Sequence, residues 1–150
     1  MEEEIFSAPS IEGLLTEGKV IQVRARGYSM YPLFVPGRDE ALIAPVEVDK
    51  LKRGDVVLYR RAKGVLVLHR IWKRDGECFY LVGDNQREIE GPLGAEQMKG
   101  ILIMVIRKGR PFSVRHPLYR FCSGMWLFLR PFRPMLSHGA AAWKRLFHKN

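Results

Sequence analysis

Ile21, Val23 and Ala25 alternate with Gln22, Arg24 and Arg26, so residues 19–26 carry the period-two pattern of a half-buried strand. Five more strands are predicted at 40–46, 56–60, 65–72, 78–82 and 98–107, with turn signals between them: a Pro- and Gly-rich loop over 32–39, Gly54-Asp55, Lys63-Gly64, Asp75-Gly76 and finally Gly109. The run Val65-Leu66-Val67-Leu68-His69-Arg70-Ile71-Trp72 is almost continuously apolar, which predicts a strand covered on both faces. Gly83-Asp84-Asn85-Gln86 reads as a polar loop. Ahead of the first strand, 8–18 read as a short helix with Ser10 as cap, Ile11, Leu14 and Leu15 on one face, and Gly18 as stop. From Pro111 the pattern changes: 118–130 are apolar and basic, Pro131 and Pro134 interrupt, and a second helical piece is predicted over 135–149. The chain is therefore expected to be mainly β, an antiparallel sheet open or closed into a barrel. It divides into an N-terminal helix or arm (1–18), a β domain (19–109) and a basic amphipathic helical tail (110–150).

Charge sharpens the last boundary. The net +9 is segregated: residues 1–98 hold 14 of the 25 Lys and Arg and all 16 Asp and Glu, whereas 99–150 hold 11 basic residues and no acidic one. That is a near-neutral domain followed by a basic tail whose partner is acidic. With 150 residues, 47% of them hydrophobic, there is enough chain for one domain with a core. Cys78 and Cys122 form no metal or disulfide pattern and are expected to be free, with no sign of an oxidising compartment. The acidic start Met1-Glu2-Glu3-Glu4 has no secretory-signal pattern, and no run of about 18 uncharged apolar residues marks a membrane span. Arg120, Arg130 and Arg133 would each cost about 2.5–3.5 kcal/mol at a bilayer centre. Two placements of the tail stay open. It lies in an anionic membrane interface with Trp126, Phe128, Trp143 and Phe147 as apolar anchors, or it packs on the β domain with its charges solvated. Neither a phosphate-cradling loop, a metal-ligand spacing nor a nucleic-acid signature is present, so no cofactor or metal and no nucleic-acid partner is expected.

The candidate chemistry sits in Gly27-Tyr28-Ser29-Met30-Tyr31-Pro32, where a strand ends in Gly, turns, and offers a hydroxyl before a Pro-fixed exit. By itself this is an ordinary turn; a serine acts as a nucleophile only with a base in reach. His69 is the single histidine of the β region, His116, His138 and His148 all lying in the tail, and it sits in an apolar strand where a polar ring needs a reason to be. Carboxylates follow the fifth strand: Asp84, Glu88 and Glu90. Glu90 or Asp84, and less readily Glu88, could orient the ring, although Gly83-Asp84-Asn85 is equally a turn in which Asp caps its own backbone.

Ser29-Met30-x-Pro32, Gly54-Asp55-Val56-Val57, His69-Arg70-Ile71 and Gly83-Asp84-Asn85 resemble, in order and rough spacing, the four boxes of the signal peptidase I superfamily, which includes LexA-like self-cleaving proteins; the likeness covers about residues 20–108. His69 stands where the usual bacterial enzyme has lysine, as in the ER-type branch. Glu90 stands near the position of that branch's carboxylate, matching it in charge and not in residue. The resemblance implies a mostly antiparallel β fold with a shallow groove that takes a peptide as an added strand. It implies Ser29 as nucleophile, His69 as base and Glu90, or failing it Asp84, as orienting acid. The Ser29 N–H would serve in the oxyanion hole, and Met30, with Tyr28 and Pro32, would line the substrate groove. The superfamily's N-terminal membrane helix has no counterpart here, the apolar basic segment lying at the other end. The expectation is thus a cytoplasmic leader-processing serine endopeptidase, peripheral at the inner membrane face, acting on a leader-bearing peptide or protein. The competing reading is a non-catalytic peptide-binding β module in which the Ser29 turn is kept for shape.

Overall fold

The structure is a computed structural model that describes residues 9–132. Its centre is one antiparallel sheet of eight strands: β1 (Ile21–Val23), β2 (Asp39–Pro45), β3 (Val56–Arg60), β4 (Leu66–Asp75), β5 (Cys78–Val82), β6 (Glu90–Leu93), β7 (Met98–Arg107) and β8 (Arg110–Ser113). The strand order is β1-β2-β7-β3-β4-β5-β6, with β8 paired to β7, and the sheet is not closed. β7 is the spine. One of its edges pairs with β2 from Gly100 to Arg107; the other pairs with β3 over Met98–Ile101 and then with β8 over Met104–Arg107. Two helices flank the sheet, α1 (Pro9–Thr16) and α2 (Pro117–Phe128).

Burial explains why these segments are strands. β3 and the first six residues of β4 are buried on both faces, the pattern expected of a strand covered on each side. α1 closes one end of the core through Leu15 and is tied to β3 by the Glu12–Arg60 ion pair. Ser10 lies inside the first turn of α1 rather than ahead of it.

Three segments differ from the sequence pattern. The buried–exposed alternation runs from Ile21 through Ala25, but only Ile21–Val23 pair with β2, because the chain then leaves the sheet edge for the Ser29 turn. β6 and β8 have no counterpart in the sequence pattern. Each contains a proline, Pro92 and Pro111, and each is an edge strand of the described sheet, where a missing N–H breaks no ladder bond. Because β8 pairs with β7, the sheet continues to Ser113, beyond residue 109. The helix expected over 135–149 lies outside the described residues.

Among the described residues of the tail, α2 packs on the β domain through one face. Tyr119 accepts a hydrogen bond from Arg70, Trp126 donates its indole N–H to the Asp84 carbonyl at 2.7 Å, and Leu127 is buried. Trp126 is therefore fastened to the β domain and is not an outward anchor, a correction forced by this bond. Among the described residues no helix is long and apolar enough to cross a membrane.

Candidate active site

Ser29 follows β1, at one edge of the sheet, and Gly83-Asp84-Asn85 precede β6, at the other. The sheet curls so that these turns meet: the Asn85 N–H donates to the Ser29 carbonyl at 2.8 Å. Gly83 makes the approach feasible, since a Cβ there would stand 2.7 Å from the Ser29 carbonyl oxygen. Gly27, at φ +82°, supplies the left-handed residue that swings the chain out of β1 into the turn. Ser29 itself is 7% exposed. Of the residues expected to line the groove, Met30 is instead buried in the core, Tyr28 is exposed, and Pro32, joined to Tyr31 by a cis peptide, is half-buried. The loop leaving the turn is clamped by Asp39, whose carboxylate takes Arg38, Arg107 and the Val35 N–H. Burial would raise the Asp39 carboxyl, but those donors outweigh it and hold it below the usual carboxylate range.

His69 and Arg70 are neighbours on β4, so their side chains leave on opposite faces of the sheet. Arg70 is fully buried and forms a bidentate ion pair with Asp84 at 2.8 and 2.9 Å, while also donating to the Gly54 carbonyl. Asp84 thus belongs to Arg70, on the face of β4 away from His69. It joins the Gly54-Asp55 turn, β4, the Gly83-Asp84-Asn85 turn and α2 into one buried hub, and as the acid behind His69 it is set aside by that geometry. Glu88 is exposed.

On the other face His69 meets a group that the sequence did not reveal. Tyr59 of β3 is the diagonal cross-strand neighbour of His69, which pairs with Val57. Its hydroxyl lies 3.1 Å from His69 Nδ1 and donates to Glu90 Oε2 at 2.8 Å. Glu90 Oε1 accepts from Arg61, which shares the Tyr59 face two residues on. Glu90 therefore reaches His69 through a tyrosine hydroxyl. Burial would raise the Glu90 carboxyl, yet the Arg61 and Tyr59 donors hold it below the ordinary range. Burial, with the charge of Glu90, pushes the Tyr59 hydroxyl well above its usual value, so it stays protonated.

Burial pushes the His69 imidazole down to about 4; the Glu90 charge pulls it back up and Arg61 adds to the depression. The folded ring is neutral at pH 7, the form a base needs. The same shift sets a stability slope. Above the unfolded pKa of about 6.5 both states are neutral and stability is full; as pH falls from about 6.5 to 4, only the unfolded chain takes up the proton, and stability is lost. Urea unfolding at pH ~7 and ~4.5 should show wild type losing about 2–3 kcal/mol more than His69→Gln over that step. Equal losses would show that His69 is not held neutral by the fold.

Among the described residues no three His, Cys, Asp or Glu side chains gather as a metal would require, and Cys78 and Cys122 are free and exposed. Two open grooves lie elsewhere, one of about 560 Å³ beside Leu51, Trp72 and Arg74, the other of about 440 Å³ beside Arg24, Asp39 and Lys108; neither is lined by Ser29, His69 or Glu90. No family model, curated protein or solved structure matches the chain.

Proposed function

We propose that this chain is a serine endopeptidase of the signal-peptidase type, which removes a leader from a peptide or protein. The observation that carries the reading is a buried histidine, neutral at pH 7 and backed by an ionised carboxylate, on a sheet whose edge turns bring Ser29 against Asn85. Ser29 Oγ attacks the scissile carbonyl while His69 takes its proton. The Ser29 N–H steadies the oxyanion, and the imidazolium returns the proton to the leaving amine. Water then enters by the same base to release the acyl group. A substrate running as an added strand along the sheet edge beside Ser29 suits this geometry. The 7% exposure of Ser29 favours the other reading, a peptide-binding module in which the turn serves shape alone. Incubation with a proteome-derived peptide library, followed by mass spectrometry of new N-termini, separates the two. Cleavage by wild type that disappears in Ser29→Ala is expected; identical peptide patterns from both proteins would overturn the peptidase reading.

The protein further works at an anionic membrane surface, with α2 as the docking face. Tyr119, Trp126 and Leu127 turn inward, and the opposite stripe exposes Leu118, Phe121, Met125 and Phe128 at helical spacing. Exposed apolar residues in such a row mark an interaction face. Arg110 of β8, Arg115 in the connection to α2 and Arg120 of α2 are exposed, and no acidic residue follows Glu96, so the complementary partner is negatively charged lipid. Vesicles of phosphatidylcholine with about 30% phosphatidylglycerol should float the protein, and Phe121→Ser/Phe128→Ser should weaken binding at least ~10-fold, given the apolar area each ring would bury. Equal flotation on pure phosphatidylcholine, or by the double variant, would reject the surface. Point changes are preferable to removing the tail, because Trp126 and Tyr119 brace the Asp84 hub.

A further inference from the structure

The geometry points to Tyr59 as the positioning residue through which Glu90 fixes the tautomer and orientation of His69. Its role in turnover rests on the reading of His69 as the base; its effect on the ring does not. Tyr59 has one hydroxyl hydrogen, and Glu90 Oε2 accepts it at 2.8 Å. The 3.1 Å contact between the same oxygen and His69 Nδ1 must then run the other way, from an Nδ1–H to the tyrosine oxygen. A neutral ring with its proton on Nδ1 keeps its lone pair on Nε2, the nitrogen that takes the nucleophile's proton. A direct carboxylate would do the same work in one step; here the hydroxyl transmits it in two. Because Tyr59 is fully buried and sits across from the ring by strand register, the ring cannot turn about its axis without breaking the contact. The aromatic rings lie 5.8 Å apart at 52°, which fixes the same orientation by packing. When Ser29 yields its proton and the imidazolium forms, its Nδ1–H is already aimed along a chain that ends on an anion, and Arg61 keeps that anion ionised.

Long-range 1H–15N spectra of histidine-labelled protein test this without a substrate, the His69 signals being assigned by their loss in His69→Gln. At pH ~7 wild type should show His69 as the Nδ1–H tautomer, and Tyr59→Phe should move it toward Nε2–H. An Nε2–H tautomer in wild type, or the same tautomer in both proteins, would sink the inference. Should Tyr59→Phe fail to fold, Glu90→Leu tests the same link, since an aliphatic side chain cannot accept the tyrosine hydrogen, which then turns to Nδ1, and the same tautomer change is expected. On a peptide cleaved by wild type, Tyr59→Phe should lower kcat about 100-fold with KM nearly unchanged, less than the ~10⁴-fold seen when a direct orienting acid is lost. Tyr59→Phe/Glu90→Gln should be no worse than either single change, as members of one chain fail together. Additive losses would show that the two act separately. A wild type that cleaves nothing would count against the peptidase reading, while the tautomer result would still decide whether Tyr59 sets the ring.

Discussion

Ser29→Ala protein is expected to fold like wild type and to leave every peptide uncut, a loss on the order of 10⁶ in kcat by comparison with removal of a serine peptidase's nucleophile. The two halves of this expectation come from different atoms. What holds the turn is the Ser29 backbone: its carbonyl accepts from Asn85, and Gly83 packs against that same oxygen. Alanine keeps both contacts and removes only the hydroxyl, so the melting temperature should move by no more than a few degrees, the shift expected for about 1 kcal/mol or less. His69→Ala is a less clean test. It empties a fully buried site and strips Tyr59 of a partner, adding a stability loss of a few kcal/mol to whatever it does to catalysis. A Ser29→Ala protein that unfolds, or one that still cleaves, contradicts the arrangement.

Asp84→Ala should cost about 3–5 kcal/mol of stability, because it leaves the Arg70 guanidinium buried without its counter-ion. Burial alone would lower the Arg70 pKa, but Asp84 more than reverses that and raises it, so the arginine keeps its charge. Loss of one partner therefore strands a charge where water does not reach. The Gly54 turn and α2, both held by Arg70, should loosen with it. Glu90→Gln, on a half-buried carboxylate, should leave the urea midpoint close to wild type while cutting cleavage, and Glu88→Gln, on an exposed one, should do neither. Equal stability losses for Asp84→Ala and Glu90→Gln would contradict this division of labour between the two faces of β4.

Much of the sheet could be read from the sequence, and the exceptions have physical causes. β3 and β5 match the apolar runs residue for residue, because their boundaries coincide with turns that Gly54, Gly64 and Gly76 impose. β6 and β8 are hidden by Gly91-Pro92 and Pro111, residues that argue against a strand unless its place at an edge is known. Ser29 and His69 stand out in sequence as polar residues in informative settings, and Glu90 is there one of three carboxylates left open. Tyr59 does not stand out. In Val56-Val57-Leu58-Tyr59-Arg60 it is one more large strand residue, and only the pairing of Val57 with His69 makes it a neighbour of the ring. The meaning of Asp84 is likewise hidden until Arg70, a charge inside an apolar strand, is seen to need an anion on its own face of the sheet.

The meeting of Ser29 and Asn85 joins the first and last strands in the sheet order, and it bears on when the protein can act. During synthesis the nascent chain has Ser29 early, but its turn has nothing to lean on until Asn85 has left the ribosome, and His69 has no anion behind it until Glu90 has followed. If Ser29, His69 and Glu90 act as proposed, a partly made or partly unfolded chain cannot cleave, and the site is complete only once the sheet is.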